Sequence, residues 1–416
     1  MVLASILVLA LMFLVATRFP VNMGLMGVVA AFGVGLAAGL PSAEIVGGFP
    51  SGLFLTLVGV TYLFAVAHAN GTVDRIISTA VAAVRGRVWA IPWIMFASAA
   101  VLTGFGAVSP AAVAILAPMA MGFAVQHRLS PMLMGLMVVH GAQAGGFSPI
   151  SVYGGITNRI VAEAGLPLVP LATFFASLAM NTVAAAILFF VLRRPVAAAA
   201  GETAADVAAM EAAVAERRGS GLEQALTVVG LLGVAVATLA YGVEIGFSAI
   251  AVGLALSLLS LARHQGALQT IPWPEIVLVM GVGLYVAVLH KTGVIDDLGG
   301  AVARLGAPLA AALLLCVVGA VVSAFASSVA VLGSLIPLAV PLLLSGTGVD
   351  AVGFIAAMAV SSTIVDVSPF STNGALVLAN ARDTDRTALF RRLMLYGAAV
   401  TVAAPLVVWA LLVLPR

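Results

Sequence analysis

The sequence is poor in charge and in cysteine. Asp, Glu, Lys and Arg make up only 8% of its 416 residues, against about 25% in a soluble domain. Its single cysteine, Cys316, excludes an intramolecular disulfide and, in an apolar run, indicates a packing residue. Hydrophobic residues reach 63%, and the mean hydropathy is +1.21. These values exclude a soluble protein and predict an all-α polytopic membrane protein.

The first half divides into apolar stretches of roughly the 20 residues that cross a bilayer. The N-terminal stretch has no preceding positive residue, so we interpret it as a retained span and not as a cleaved signal peptide. Two stretches of about 15 residues favour a re-entrant hairpin over two crossings. The order is spans near 2–17, 22–40 and 53–69, an amphipathic interfacial segment at 71–87, hairpin arms at 88–103 and 111–125, a broken helix at 132–163, and a span at 171–192.

The second half repeats this order after a charged, Ala-rich linker at 195–221. At an offset of 222 residues, Gly59, His68, Gly71 and Asp74 match Gly281, His290, Gly293 and Asp296, which indicates a duplication. The corresponding segments are spans near 222–243, 247–261 and 275–290, an amphipathic segment at 292–305, hairpin arms at 307–322 and 329–344, a broken helix at 349–381, and a span at 393–414.

Each half contains one run that an ordinary membrane helix should not carry. Ser148-Pro-x-Ser151 with Gly154 matches Ser368-Pro-x-Ser371 with Gly374, 220 residues later. Proline cannot donate a backbone hydrogen bond, and glycine tolerates unusual backbone angles, so both runs predict helix breaks. Two helix breaks at matching positions are typical of a transporter's binding site. The alternative is a pair of proline kinks in structural helices.

Each half has five full spans when its broken helix is counted as one. Because five is an odd number, the second repeat must be inverted relative to the first. That topology places fourteen of the eighteen Lys and Arg residues on one side, and leaves four, Arg159, Lys291, Arg304 and Arg416, on the other. By the positive-inside rule, the fourteen are cytoplasmic and both termini lie outside. The predicted location is the cell (inner) membrane, and the scattered basic residues suggest no nucleic-acid partner.

The predicted breaks and hairpin tips bring helix N-termini near the membrane midplane, where their partial positive charge suits an anion. Hydroxyl and amide groups can complete the shell, although each hydroxyl could instead bond its own helix backbone. Asp366 is the one acid deep in a segment beside a break, so we assign it to cation or proton coupling, with structural hydrogen bonding as the alternative. Arg159 is either a substrate clamp or an interface anchor, and His140 either packs helices or relays protons.

Four short runs resemble a known family. Ser327-Ser-Val329 precedes Pro337 and Val108-Ser-Pro110 precedes Pro118, as the Ser-Asn-Thr hairpin tips of divalent-anion/sodium symporters precede a proline. Gly154-Gly-Ile-Thr-Asn158 and Ser371-Thr-Asn-Gly374 keep Thr-Asn of that family's broken-helix loops. The Asn and Thr of both hairpin tips and the loop prolines are missing. With its repeats, the chain resembles the ion transporter superfamily, and within it the MatC-type malonate and dicarboxylate carriers.

The resemblance implies a secondary active transporter of small, malonate-like or C4 dicarboxylates, coupled to Na+ or H+, with elevator-type alternating access, in a homodimer. It implies no catalytic residue and no cofactor besides the coupling ion. An inorganic ion exchanger, a channel and an intramembrane enzyme are the alternatives; the absence of HExxH and of a paired-Asp signature argues against the enzyme.

The predicted organisation and site follow from these inferences. The repeats are residues 1–194 and 222–416, with transport-domain parts at 88–194 and 307–416. The predicted cation-coupling residues are Asp366, Gly154 and Gly374, with Na+ near Ser109, Ser327 and the two breaks. The predicted substrate-binding residues are Ser109, Ser148, Ser151, Thr157, Asn158, Ser327, Ser328, Ser368, Ser371, Thr372 and Asn373.

Overall fold

All regular secondary structure in the described part of the chain is helical, which confirms the predicted all-α class. The computed structural model describes residues 2–19, 21–73, 75–76, 79, 87–193, 220–260, 264–294, 297, 307–324, 328–344, 348–381 and 385–414. Ser327, most of the linker and most of both amphipathic segments lie outside these ranges. Five described stretches are long and apolar enough to span a membrane: Ser42–Ala69, Ser109–Gln126, Pro170–Leu192, Gly221–Thr238 and Arg386–Leu412.

The helices of the first half follow the predicted segments closely, and a short 3-10 turn at Val88–Ala90 precedes the fifth. Ser130 caps the first broken helix by accepting a hydrogen bond from the backbone N–H of Leu133. The helices are α1 (Val2–Arg18), α2 (Met23–Ala37), α3 (Ser42–Val46), α4 (Ser51–Ala69), α5 (Ile91–Gly104), α6 (Ser109–Gln126), α7 (Pro131–Gly145), α8 (Val152–Glu163) and α9 (Pro170–Leu192).

The second half has the matching order, with a 3-10 turn at Ala267–Thr270. Asp350, which is 220 residues after Ser130, caps the second broken helix through the N–H of Gly353. The helices are α10 (Gly221–Tyr241), α11 (Ile245–Leu259), α12 (Trp273–Lys291), α13 (Pro308–Ser323), α14 (Ser328–Leu344), α15 (Ala351–Ile364), α16 (Thr372–Asn380) and α17 (Arg386–Leu412).

The predicted hairpins correspond to two helix pairs, in which α5, α13 and α14 are shorter than a span and α6 is long enough to be one. Helices α5 and α6 have 14 and 18 residues, and α13 and α14 have 16 and 17. At 1.5 Å per residue a 14-residue helix is about 21 Å long, less than the roughly 30 Å hydrocarbon core. Gly106 supplies a positive φ of +108° in the turn between α5 and α6. Re-entry of these pairs from one side stays a prediction.

The two halves interlock through reciprocal glycine contacts. A Cβ on Gly281 of α12 would lie 1.8 Å from the carbonyl oxygen of Gly24 in α2, and a Cβ on Gly59 of α4 would lie 2.3 Å from that of Gly246 in α11. Gly24 and Gly246, like Gly59 and Gly281, are 222 residues apart. Each half therefore contributes one partner to each crossing, as a two-fold relation between the halves predicts. The inversion of one half across a membrane stays a prediction.

The remaining helices join both halves around the breaks. Helix α7 packs against α5 and α9, α15 packs against α13 and α17, and contacts across the halves join α6 with α16 and α9 with α15. The segments that end α7 and α15 are almost entirely buried. This packing brings both helix breaks and the turn between α5 and α6 into the interior of one bundle.

Candidate functional site

The two helix breaks have the same local geometry. Ser151 begins α8 and Ser371 begins α16; each hydroxyl accepts from the N–H three residues ahead, at 3.2 Å and 3.3 Å. Each hydroxyl also donates at 2.7 Å to the carbonyl three residues back, on Ser148 or Ser368. Ser151 contacts the carbonyl of Gly146 as well. These hydroxyls act as helix N-caps, the alternative anticipated for every serine of the set.

The two glycines of the motif are required by close backbone approach. A Cβ on Gly154 would lie 2.0 Å from the carbonyl oxygen of Ser148, and one on Gly374 would lie 1.9 Å from that of Ser368. Contacts this short are not found for real side chains. The side chains of Ser148 and Ser368 accept hydrogen bonds from Ile150 and Phe370 N–H groups, respectively. The motif therefore encodes a folded helix break in both halves, beyond a simple proline kink.

Asp366 lies at the second break and is only 2% exposed. Its Oδ2 accepts from Nδ2 of Asn373 at 2.9 Å, from Nε2 of Gln143 at 3.3 Å and from the hydroxyl of Ser328 at 3.4 Å. Its Oδ1 accepts from the backbone N–H of Asn373 at 3.3 Å. The carboxylate therefore joins the first broken helix, the second hairpin and the second break.

Two amide oxygens beside this carboxylate have no partner among the described residues. They are Oε1 of Gln143 and Oδ1 of Asn373, on side chains that are fully buried. The NH2 group of Asn373 is used twice, because it also donates to the hydroxyl of Ser109 at 2.7 Å. Each of these orphan oxygens belongs to an amide group whose NH2 donates to Asp366. Unpaired buried acceptors are costly, and oxygen atoms are the ligands that small hard cations prefer.

A cavity of about 100 Å³ opens beside Asp366. Eight of its lining residues stand at or within two residues of the start of one of six helices: Asn22 (α2), Val108 and Pro110 (α6), Tyr153 (α8), Pro274 (α12), Ser328 and Val329 (α14) and Thr372 (α16). Helix N-termini present free N–H groups and partial positive charge, which favour anions. The lining that the structure describes contains no Lys or Arg. The arrangement can hold an anion next to a carboxylate only if that carboxylate's charge is balanced.

The structure places the predicted site residues in three locations: the cavity beside Asp366, the backbone of the two breaks, and a separate cavity. Ser109, Ser328, Thr372, Asn373 and Asp366 lie together at or beside the cavity. The break residues Ser148, Ser151, Gly154, Ser368, Ser371 and Gly374 shape the backbone around it. Thr157 and Asn158 line a separate, much smaller cavity with residues of α15, and Ser327 lies outside the described residues.

The other polar candidates have structural partners. Arg159 bonds Glu163 at 2.6 Å and lies against Gly52 of α4, away from the cavity beside Asp366. His140 is fully buried between Asn181 and the hydroxyl of Tyr396. The contacts of His140 with α9 and α17 agree with the packing interpretation, and the anchoring of Arg159 at the membrane interface stays a prediction.

Sequence reasoning missed Gln143, Asn22 and Tyr153. Gln143 carried a usable signal, because a buried amide inside an apolar segment usually has a functional or packing partner. Asn22 and Tyr153 carried none, since their place at the cavity depends on the packing of α2 and α8 against the other half.

Comparison with known proteins agrees with this architecture. Residues 1–146, about a third of the chain, match the family described as dicarboxylate carrier protein MatC N-terminus. The MatC resemblance is confirmed over that stretch. No curated protein matches the chain.

Two solved structures share the fold of this MatC-like chain. The YdaH transporter of Alcanivorax borkumensis has 17% identity and a TM-score of 0.63, covering 88% of this chain and 86% of that one. MtrF of Neisseria gonorrhoeae, described among antimetabolite efflux pumps, has 15% identity and a TM-score of 0.55, covering 90% and 83%. The matched family is a dicarboxylate carrier family, and the two solved structures are of a transporter and an efflux pump.

Proposed function

We propose that this MatC-like protein is a secondary active transporter that binds a small dicarboxylate in the cavity beside Asp366 and couples its movement to Na+ or H+. The observation that carries the proposal is the meeting of six helix N-termini at a cavity that also contains a buried carboxylate. The helix N-termini supply an anion site without a basic side chain. Asp366 supplies a place for the coupling cation.

The cation site in this proposal consists of Asp366 with the free oxygens of Gln143 and Asn373, and the hydroxyls of Ser109 and Ser328 nearby. A bound cation would satisfy the two orphan oxygens and balance the carboxylate next to the substrate anion. The same cluster fits proton carriage, in which the carboxyl group itself holds the proton. The cation and the substrate would then occupy neighbouring positions, so that each favours the binding of the other.

The charge of the substrate sets the coupling that uptake requires. At a membrane potential of −100 mV, a dianion entering the cell climbs about 2.3 kcal/mol per charge, or about 4.6 kcal/mol in total. Two co-transported monovalent cations make uptake electroneutral, and three allow the potential to drive it. Alternating access of the elevator type, in a homodimer of the inner membrane, follows the implication of the resemblance and belongs to the same proposal.

Uptake into proteoliposomes tests the proposal. The purified chain should accumulate labelled malonate or succinate when an inward Na+ gradient or an inward proton gradient is imposed, and Asn373→Ala should raise the cation concentration needed for half-maximal uptake. Sulfate and monocarboxylates serve as substrate controls. Cation exchange without any dicarboxylate uptake would instead favour the alternative, an inorganic ion exchanger, for which the oxygen-rich cluster at Asp366 would be sufficient.

A further inference from the structure

Two hydrogen-bonded contacts connect the C-terminal part of α7 with α9. In one, Nδ1 of His140 meets Oδ1 of Asn181 at 2.8 Å. In the other, the hydroxyl of Ser177 donates to the backbone carbonyl of Gln143 at 2.9 Å. The pairs 140/143 and 177/181 are three and four residues apart, so each pair lies on one face of its helix. All four side chains are fully buried.

The two contacts are joined into a closed ring. Nδ2 of Asn181 donates to the carbonyl of Ser177 at 3.0 Å and approaches its hydroxyl at 3.2 Å. This fixes the amide orientation, so Oδ1 accepts and Nδ1 of His140 carries the proton. The other ring nitrogen of the neutral imidazole then accepts from the hydroxyl of Tyr396, on α17, at 2.7 Å. Among the described contacts, Tyr396 is the one titratable group that faces the imidazole.

One member of this ring, Gln143, also reaches the candidate cation site. The carbonyl of Gln143 loses its regular helix partner because α7 ends at Gly145, and it keeps a bond from the N–H of Gly146 at 3.2 Å. Ser177 supplies a second donor to that carbonyl. The side chain of the same Gln143 donates to Asp366 and presents one of the orphan oxygens. A residue of α9 therefore holds the backbone of the residue that presents this oxygen.

We propose that His140, Asn181 and Ser177 form a positioning clamp that sets the cation affinity of the Asp366 cluster by fixing Gln143. The inference rests on the proposed cation-coupled transport. None of the three clamp residues lines the cavity. The clamp acts through Gln143, and it joins the first broken helix to the Asp366 site of the second.

The test compares Ser177→Ala with Ser177→Thr, which keeps a hydroxyl. Binding of labelled malonate or succinate to the purified full chain is measured against Na+ concentration, and against pH without Na+. We expect Ser177→Ala to raise the half-saturating cation concentration about fivefold, as the loss of one hydrogen bond predicts, with maximal binding unchanged. Ser177→Thr should restore most of the affinity. Thr182→Ala, on the same helix, is the matched control and should bind cations like the wild type.

A purely structural role would lower thermal stability without moving the half-saturating concentration, and that result would overturn the clamp. If Ser177→Ala does not fold, Tyr396→Phe gives a milder variant: it should shift the same concentration in the same direction, and unchanged affinity would contradict the proposal. Gln143→Ala distinguishes a failure of the clamp from a failure of the proposed function. Cation-independent binding in the wild type would contradict the proposed function, whereas a defect confined to Gln143→Ala would contradict the clamp alone.

Discussion

At the scale of single residues, Asp366 places a carboxyl group in the buried interior of a membrane protein. A charged aspartate at the centre of a membrane helix costs about 2.5–3.5 kcal/mol on insertion scales. Its described partners are neutral donors from Gln143, Ser328 and Asn373. Neutral donors spread the charge over several groups but do not cancel it. A cation or a proton at this position would do so, and this is the physical basis of the coupling role that we propose.

We expect Asp366→Asn to abolish accumulation driven by a cation gradient while leaving some substrate binding or downhill exchange. Asparagine preserves size and, with its carbonyl oxygen at the Oδ2 position, can accept three of the four hydrogen bonds, but it removes the charge that attracts the cation. Proteoliposome uptake under a gradient, compared with counterflow of labelled substrate without one, measures the two activities. A Na+ requirement at fixed pH in the wild type would indicate Na+ ligation, and Na+-independent uptake that rises with acidity would indicate proton carriage.

Asp350→Asn is the matched control for this prediction. Asp350 caps α15, and asparagine caps helices as well as aspartate does, so uptake should stay close to wild type. If Asp366→Asn still accumulates substrate with an unchanged cation dependence, the coupling role is wrong. Asp366 would then be a structural hydrogen-bonding partner of the second helix break.

At the scale of structural elements, the Ser-Pro-x-Ser-x-x-Gly run behaves as one folding unit. Its second serine caps the following helix, and its glycine lets the chain pack against the carbonyl of the first serine. The same contacts recur in the other half. A break leaves helix N–H groups without regular partners, and these local contacts satisfy the N–H groups of Gly154 and Gly374.

Gly374→Ala and Gly154→Ala should each disrupt the corresponding break. The added methyl group would meet a backbone carbonyl oxygen at about 2 Å, so the break must open or the helix must shift. We expect loss of transport together with a lower melting temperature in detergent. Gly33→Ala in α2 is the control, because nothing lies within 4 Å of its Cβ position; it should be neutral or up to about 1 kcal/mol stabilising. Active, stable Gly374→Ala protein would contradict the break geometry.

At the scale of the whole molecule, the halves depend on each other for their packing. The α2–α12 and α4–α11 crossings each combine one helix from either half, and Asn22 of the first half donates to the carbonyl of Pro274 in the second at 2.8 Å. The equivalent cap, Glu244, accepts from Thr56 at 2.8 Å. Neither half has a complete interior alone.

Cysteine labelling in a Cys316→Ala background tests the inverted topology that the basic residues predict. Gly201→Cys and Arg218→Cys should react with a membrane-impermeant reagent only from the cytoplasm. Ser42→Cys, in the connection between α2 and α4, and a cysteine at the C-terminus should react only from outside. Labelling of residues 201 or 218 from outside would contradict the arrangement. Labelling after permeabilisation controls for sites that are simply inaccessible.

The sequence by itself determined the class of the protein, the order of its segments and the place of both helix breaks. These features are encoded locally: a span needs a long apolar run, and a break needs proline, glycine and capping serines within a few residues. Because the duplication repeats that local code, Ser148 to Gly154 and Ser368 to Gly374 could be recognised as equivalent. Asp366 stood out because acids are rare in apolar segments.

Tertiary structure decided which of the polar residues meet. Thr157 and Asn158 carried the Thr-Asn signal of the family yet line a different cavity, whereas Gln143 reaches Asp366 from 223 residues away. No local pattern specifies such a contact, because it depends on how α7 packs against α15 and α16. Tertiary structure also decided the role of the Ser151 and Ser371 hydroxyls. The sequence predicts only that the helix is interrupted there, whereas the folded break uses the hydrogen bonds of these hydroxyls for capping before any ligand can use them.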